Sequence, residues 1–154
     1  MKLSLNQCKD KLKNAGIRVT PQRLAIYHFL TDTAIHPSAE TVYRNIKHNY
    51  PCISFDTVNR TLVSFNKKGI IKLVESGFGP RRYDASLKLH YHFRCIACHK
   101  IIDFECPYYD KIDIPAEISK KFHVLHQEIV LKGLCSECIK KKLSAQQRNM
   151  TKSR

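Results

Sequence analysis

The stretch SFDTVNRTLVSFNKKG, residues 54–69, decides the fold of the first half of the chain. It begins with Ser54, a residue type that caps helix N-termini, and it ends at Gly69, a residue type that terminates helices. Its apolar residues recur at the spacing of one helix face: Phe55, Val58, Leu62 and Phe65. The stretch therefore predicts an amphipathic helix that packs one face against a core.

Three further helices are predicted before it. The segment SLNQCKDKLKNAG has one apolar face and stops at Gly16. The segment TPQRLAIYHFL has Thr20 as a candidate N-cap and Pro21 at the first helical position. The segment HPSAETVYRNIKHN begins its helix near Ser38. The chain is therefore predicted to be largely helical up to residue 69.

A two-stranded ribbon is predicted directly after these helices, within IIKLVESGFGPRRYD, residues 70–84. Residues 70–74 have the composition of a strand, Gly77, Gly79 and Pro80 favour a turn, and residues 81–84 return as a second strand. Helices followed by such a ribbon predict a winged helix-turn-helix domain over residues 1–84.

The pattern changes near residues 85–89, where we place a domain boundary. The segments HYHFRC, KIIDFEC and FHVLHQEIVLKG predict strands, and YYDKIDIPAEISKKF predicts a helix in which Pro115 is an obstacle. The last residues, 144–154, are basic and polar and are expected to fray. The prediction is an α+β chain in which a small α/β domain, residues 85–143, follows the winged helix.

Composition points to a polyanionic partner. The net charge is +14, which favours nucleic acid first and an anionic membrane surface second, with a merely soluble basic protein as the alternative. The apolar runs are shorter than the roughly 20 residues that cross a bilayer. The first residues lack the apolar segment of a signal peptide. We expect a cytoplasmic protein.

Four of the seven cysteines form two C-x-x-C units. Cys95 and Cys98 make the first unit, and Cys135 and Cys138 make the second. Two such units present four thiolates, the set that tetrahedral structural Zn²⁺ prefers. A redox dithiol using one unit is the competing interpretation. The prediction is one structural Zn²⁺ per chain, because a closed four-sulfur site leaves no position for a substrate.

The remaining cysteines lie outside this pattern. Cys8 falls on the apolar face of the first helix and is expected in the core, while Cys52 and Cys106 are interpreted as ordinary small side chains. His99 follows the first C-x-x-C unit and is interpreted as a polar surface residue, because four thiolates already fill a zinc site.

A second candidate site lies beside the first C-x-x-C unit. Because successive side chains of a strand point to opposite faces, His90 and His92 share a face and Cys95 falls on the other. Asp103 on the following strand can approach the histidine face. Two imidazoles and a carboxylate suit Fe²⁺, Mn²⁺ or Zn²⁺. Taken alone, the pair is equally consistent with two surface histidines.

Together these segments resemble the ferric uptake regulator family of bacterial metal-dependent repressors, from about residue 5 to residue 143. The resemblance is carried, in order, by AGIRVTPQRLAIYHFL, HPSAETVY, SFDTVNRTLVSFNKKGII, RRYD, HYHFRCIAC and the second C-x-x-C unit. It implies a DNA-binding winged-helix domain, a hinge, and a C-terminal metal-binding domain, residues 85–143, through which the protein forms a homodimer. It also implies that one regulatory Fe²⁺ or Mn²⁺ per chain switches on DNA binding.

The family's regulatory ligands carry over to five residues, each within a matching motif: His36, Asp84, His90, His92 and Asp103. The first comes from the DNA-binding half, the second from the hinge, and the other three from the second half. One ion with ligands in both halves can fix the orientation of one half against the other.

Within the family, Asp103 favours the peroxide-responsive branch, because iron-responsive members tend to carry Glu at this position. Many iron-responsive members have a further metal site, which falls here on Leu89, Tyr91, Asp110 and Gln127. Three of these four residues cannot ligate as they do in the family. The resemblance therefore implies one zinc and one regulatory metal.

The peroxide-responsive branch implies a sensing reaction in which Fe²⁺ reacts with hydrogen peroxide and His36 or His90 is oxidised. Loss of a ligand then releases the repressor from its operator, whereas Mn²⁺ occupies the site without this chemistry. Such a sensor is consumed rather than turned over, so the chain is not expected to be an enzyme. The alternatives are a regulator that responds to iron, manganese or zinc itself, and an RNA-binding module stabilised by structural zinc.

DNA contacts are predicted on the helix that begins after Ser54, which is expected in the major groove of a pseudo-palindromic operator. Arg60 is a candidate to bind guanine and Asn59 to bind adenine. Asn59 stands where the family usually has Tyr, so the operator sequence stays open. The predicted contacts of this helix are Thr57, Asn59, Arg60 and Thr61. The predicted phosphate contacts are Arg18, Gln22, Arg23, Arg81 and Arg82.

Overall fold

The computed structural model describes residues 2–33, 35–74, 80–125, 127 and 129–152, with side chains described as far as residue 144. The chain divides into two compact units, residues 1–88 (unit 1) and 89–154 (unit 2). No helix in the described ranges combines the length and apolar character that a membrane span requires.

Unit 1 is built from helices followed by an antiparallel ribbon. Its elements are α1 (Leu5–Asn14), α2 (Pro21–Asp32), α3 (Ala39–Asn49), α4 (Phe55–Lys67), β1 (Lys72–Val74) and β2 (Arg82–Asp84). Each helix begins after a Ser or Thr whose hydroxyl accepts a hydrogen bond from a backbone N–H three residues on. These N-caps are Ser4, Thr20, Ser38 and Ser54. The predicted helix starts at the last three are confirmed.

The core of unit 1 is formed by the inner faces of these helices. Its fully buried members include Cys8, Leu12, Ile26, Val42, Val58, Leu62 and Phe65. The ring of Tyr27 meets that of Phe65 edge-on, with the centroids 5.7 Å apart. The predicted inner face of α4 is wrong at Phe55, which is 46% exposed and packs edge-on against Tyr43 instead. As the first residue of the helix, Phe55 projects beyond the core that its later turns reach.

The ribbon pairs β1 with β2 in antiparallel register, with Lys72 opposite Asp84. The predicted turn residues Gly77 and Gly79 lie outside the described residues. The backbone N–H of Tyr83 donates to the carbonyl oxygen of Pro37, 3.1 Å away, which ties the ribbon to the segment before α3. Helices and ribbon together form the predicted winged helix-turn-helix.

Unit 2 contains a three-stranded sheet in the order β4-β3-β5. β3 pairs antiparallel with β4 and parallel with β5. The elements of this unit are β3 (Tyr91–Cys95), β4 (Ile101–Phe104), α5 (Ala116–Ser119), β5 (Val130–Gly133) and α6 (Ser136–Lys152). With unit 1, this arrangement confirms the α+β fold class.

Two elements of unit 2 differ from the sequence prediction. The helix predicted over residues 108–122 is wrong: a 3-10 turn at Tyr109–Lys111 and the single-turn α5 stand there, and Pro115, which has no backbone N–H to donate, precedes α5. The long strand predicted over residues 122–133 is reduced to β5 among the described residues. α6 continues through Lys152 and so extends into the segment 144–154, which the sequence predicts as a tail.

Candidate metal centres and DNA-binding surface

Four thiols of unit 2 converge on one point. The Sγ atoms of Cys95, Cys98, Cys135 and Cys138 all lie within 4.8 Å of one another. The sulfurs of Cys98 and Cys135 are 3.7 Å apart. Zn–S bonds of about 2.3 Å in a tetrahedron place the sulfurs about 3.8 Å apart, so this spacing fits structural Zn²⁺.

Backbone donors around the thiols favour the thiolate that zinc requires. The backbone N–H of Cys135 donates to Sγ of Cys95 over 3.4 Å. This contact, with a second from the backbone of Cys98, lowers the pKa of Cys95 to about 6. Hydrogen bonds from the Cys138 thiol to the sulfurs of Cys135 and Cys98 raise the pKa of Cys138 to about 12, because they stabilise its protonated form. Coordination to a cation removes that obstacle, since a metal-bound thiol is deprotonated.

A separate group of nitrogen and oxygen donors lies on the same sheet. His90 precedes β3 and His92 lies on it, and their Nε2 atoms are 3.0 Å apart. The antiparallel register sets Asp103 of β4 directly opposite His92, with 3.5 Å between Oδ1 and Nε2. Oδ1 is 3.9 Å from Nε2 of His90. Two nitrogens bound at about 2.1 Å and at right angles lie about 3.0 Å apart, so this donor set fits a divalent ion.

Unit 1 holds the other two predicted ligands close together. Nε2 of His36 lies 3.9 Å from Oδ1 of Asp84, and both side chains are buried. Asp84 ends β2, and its Oδ1 accepts a hydrogen bond from the backbone N–H of Ser86 at 2.7 Å. His36 has a φ of +47°, in the left-handed region that residues with a Cβ seldom adopt. The pair brings an imidazole and a carboxylate together from segments far apart in sequence.

The predicted DNA-contacting residues of α4 do not all face solvent. Thr57 and Arg60 are exposed and Asn59 is half-buried. Nε of Arg60 lies 2.8 Å from Oδ2 of Asp56, one helical turn earlier, in a pair whose members are both largely exposed. Thr61 is 5% exposed, and its hydroxyl donates to the carbonyl oxygen of Thr57. This burial counts against the predicted contact of Thr61 with DNA, because its side chain faces the core.

The predicted phosphate contacts fall into exposed side chains and side chains that hydrogen-bond to the protein itself. Arg18, Gln22 and Arg81 are exposed, and Arg23 is half-buried with its Nη1 donating to the carbonyl oxygen of Arg18 at 3.1 Å. Arg82 is half-buried and its Nη1 donates to the carbonyl oxygen of His36 at 3.2 Å. That contact counts against a phosphate contact for Arg82, because its guanidinium faces the protein.

Sequence reasoning missed three contacts around these sites. They are the Arg82–His36 hydrogen bond, the ion pair of Lys100 with Glu137 beside the thiols, and the hydrogen bond of 2.7 Å from the Tyr91 hydroxyl to Oδ1 of Asp110. Each joins residues 19 or more positions apart, and helix or strand periodicity carries no signal at such separations. The last contact occupies two of the four positions at which the resemblance places the further metal site.

Comparisons with known proteins identify the family of the chain. The profile of the Ferric uptake regulator family matches residues 14–132. The peroxide-responsive repressor PerR of Staphylococcus saprophyticus is 38% identical over 127 residues, which cover 82% of this chain and 86% of that protein. The peroxide operon regulator of Bacillus subtilis is 35% identical, covering 89% of this chain and 94% of that protein.

The fold agrees with a solved structure of the same family. The ferric uptake regulator Fur of Helicobacter pylori, described with three functional metal-binding sites, superposes with a TM-score of 0.74. It is 24% identical and covers 89% of this chain and 95% of that one. The chain belongs to the ferric uptake regulator family. It is accordingly a metal-dependent transcriptional regulator, similar to proteins named as peroxide-responsive repressors.

Proposed function

We propose that this chain is a metal-dependent transcriptional repressor that senses hydrogen peroxide through oxidation of a histidine in its regulatory site and then releases its operator. The observation that carries the proposal is the convergence of His90, His92 and Asp103 into a nitrogen and oxygen donor set apart from the four thiols. Such a set suits Fe²⁺ or Mn²⁺, whereas thiolates select zinc. The two groups therefore favour one structural and one regulatory ion per chain.

In this proposal the regulatory ion is held by ligands from both units. His36 and Asp84 supply one imidazole and one carboxylate from unit 1, and unit 2 supplies the other three ligands. Binding one ion through both sets would favour the unit orientation that fits DNA. The bias required is modest, since a coupling of about 1–3 kcal/mol changes affinity about 5- to 150-fold.

We assign DNA binding to exposed arginines of unit 1, in a homodimer. The net charge of +14 and the exposed side chains of Arg18, Arg60 and Arg81 suit a phosphate backbone. With α4 in the major groove, Arg60 presents a guanidinium that can bind guanine in a bidentate manner. A homodimer presents two such helices to a pseudo-palindromic operator.

The sensing reaction uses a ligand as the oxidised group. Fe²⁺ held by the predicted ligands would supply the redox chemistry that activates hydrogen peroxide, with the peroxide as the two-electron oxidant, the imidazole as the two-electron reductant and no net change in the iron. One oxygen atom is inserted into a C–H bond of the His36 or His90 imidazole, and the other leaves as water. The modified ring is a poorer donor to the metal. Weaker metal binding would release the constraint between the units, and affinity for the operator would fall.

Mass spectrometry of the full-length protein tests this reaction. The protein is loaded with Fe²⁺ or Mn²⁺, treated with peroxide and digested. A gain of about 16 Da, one oxygen atom, is expected at His36 or His90 with Fe²⁺ and at neither with Mn²⁺, because the chemistry needs the iron at the site. The exposed His48 and His99 serve as internal controls, since a freely diffusing oxidant would modify them as well.

The result also separates the competing function. Oxidation confined to His36 or His90, with loss of operator binding, supports peroxide sensing. Metal-dependent operator binding without oxidation at either histidine would leave a regulator that responds to iron, manganese or zinc itself. Absence of metal-dependent binding to any duplex, with equal binding of random RNA, would overturn the repressor function.

A further inference from the structure

Arg82 is the one predicted phosphate contact that, among the described residues, bonds to a segment carrying a regulatory ligand. Its guanidinium Nη1 donates to the carbonyl oxygen of His36 at 3.2 Å, across 46 residues of sequence. The side chain is half-buried on β2, two positions before Asp84. One short strand thus carries both a ligand and a residue that holds the backbone of another ligand.

Two backbone contacts hold the same segment against β2. Ser38 forms an isolated antiparallel bridge with Arg82, and the N–H of Tyr83 donates to the carbonyl oxygen of Pro37 at 3.1 Å. Residues 36–38 are therefore bound at successive positions, and Arg82 supplies the side-chain contact at the His36 end. This contact links the His36 end of the segment to the strand that carries Asp84.

His36 adopts a backbone conformation that requires such support. Its φ of +47° is in the left-handed region, where a residue with a Cβ costs about 1 kcal/mol or more. Such conformations persist when the surroundings determine them, and they cluster at ligand-binding sites. A hydrogen bond to the carbonyl of the strained residue fixes the orientation of its peptide plane. The direction of the Cα–Cβ bond, from which the imidazole extends, depends on that orientation together with the preceding peptide.

We propose that Arg82 is a positioning residue for the regulatory metal, and that it holds the strained backbone of His36 so that its imidazole stays beside the Asp84 carboxylate. The inference rests on the proposed function in taking His36 and Asp84 as ligands. It assigns Arg82 a role in metal binding, in place of the phosphate contact predicted from the sequence. Loss of the Arg82 side chain is expected to weaken metal binding even when no DNA is present.

Arg81 is the matched control for this role. It is the preceding residue, carries the same charge and is exposed. Removing either arginine lowers the net charge by one, so a purely electrostatic effect on a cation would act in the same direction in both variants. Of the two arginines, Arg82 is the one with a recorded side-chain contact to the backbone of His36 among the described residues.

The experiment measures the Mn²⁺ dissociation constant of the full-length, zinc-containing protein without DNA. Arg82→Ala is expected to weaken Mn²⁺ binding about 10-fold, the lower end of the effect of losing a residue that orients a metal ligand. Arg81→Ala is expected to leave Mn²⁺ affinity unchanged. Arg82→Lys keeps the charge and one donor group and is expected to fall between Arg82→Ala and the parent. Zinc content and circular dichroism check that each variant is folded.

A double-mutant cycle with His36→Ala tests whether Arg82 acts through His36. Once the imidazole is gone, removal of Arg82 is expected to cause no further loss of Mn²⁺ affinity. Parent-like affinity in both Arg82 variants, or an undiminished loss in the His36→Ala background, overturns the inference. If His36→Ala binds Mn²⁺ as tightly as the parent does, that result would instead contradict the proposed function.

Discussion

The two units differ in what stabilises them. Unit 1 has a continuous apolar core to which all four helices contribute. Among the described residues of unit 2, the buried apolar side chains are few, and several large ones are exposed: Leu89, Tyr108, Phe122, Leu125 and Leu131. A small unit without a sufficient core needs a metal or a partner subunit for stability. We therefore expect unit 1 to be stabilised mainly by its own apolar core, and unit 2 to require bound zinc and a second copy of the chain for its stability.

The largest expected effect is on unit 2 when zinc is lost. Cys95→Ser removes a fully buried ligand, and structural zinc contributes about 10–16 kcal/mol in zinc-finger peptides. Amide hydrogen exchange of the full chain is expected to show lost protection in β3 and β4 but retained protection in α2 and α4. Cys52→Ser, at an exposed cysteine outside the zinc group, is the control and is expected to change nothing. Full protection of β3 in Cys95→Ser would contradict the dependence on zinc.

The next effect concerns the core of unit 1. Phe65→Ala removes a fully buried ring and is expected to cost about 3–5 kcal/mol of the free energy of unfolding. Phe55→Ala in the same helix is the control, because its ring is 46% exposed, and a much smaller loss is expected. Urea denaturation followed by the helical signal measures both. Equal losses would mean that α4 is not anchored through its inner face.

A smaller effect is expected on association of unit 2. Leu131 is 40% exposed on the edge strand β5, and Leu131→Asp places a charge where we expect a second copy to pack. A rise of about 10-fold or more in the dimer dissociation constant, equivalent to about 1.4 kcal/mol, is expected by sedimentation velocity. Leu5→Asp makes the same change at an exposed position of unit 1 and should leave the dimer intact. An unchanged dimer in Leu131→Asp would place the interface elsewhere.

The smallest effect is expected at Tyr91. Its hydrogen bond to Asp110 raises the pKa of Tyr91 to about 12 from its ordinary value of 10.0. A raised pKa means that the contribution to stability is complete below pH 10 and is lost as pH rises towards 12. Tyr91→Phe should therefore lower the free energy of unfolding slightly near neutral pH and progressively less above pH 10. Tyr108→Phe, at a ring that is 75% exposed, should cost nothing at either pH.

The helical half of the fold could be predicted because its signals are local. Ser or Thr N-caps and the glycines with positive φ at positions 16 and 69 lie within a few residues of the helix ends that they define. Unit 2 could be predicted less well. The apolar spacing between Tyr108 and Phe122 suggests a helix, but Pro115 interrupts the backbone hydrogen bonds, and little core is present to compensate.

The candidate sites also combine features that local sequence predicts with contacts that it does not predict. The four thiols are predictable because each C-x-x-C unit is a local pattern, and the facing of His92 and Asp103 follows from strand alternation and register. The contact of Arg82 with His36 depends on how the ribbon packs against a loop 46 residues away. The burial of Thr61 depends on which helix face reaches the core. The Arg82 contact requires tertiary packing that sequence spacing does not encode. Helix spacing alone already places Thr61 on the buried face, three residues after Val58 and four before Phe65.

The proposal that one ion is held by ligands of both units is tested most directly by titrating Mn²⁺ into zinc-containing full-length protein and its His36→Ala and His90→Ala variants. The proposal predicts one regulatory Mn²⁺ per chain and at least about 10-fold weaker binding in both variants, as expected for loss of an imidazole ligand from either unit. His48→Ala, at an exposed histidine of α3, should bind like the parent. Parent-like Mn²⁺ binding by His36→Ala, with weakened binding by His90→Ala, would place the ion in unit 2 alone and contradict the proposal.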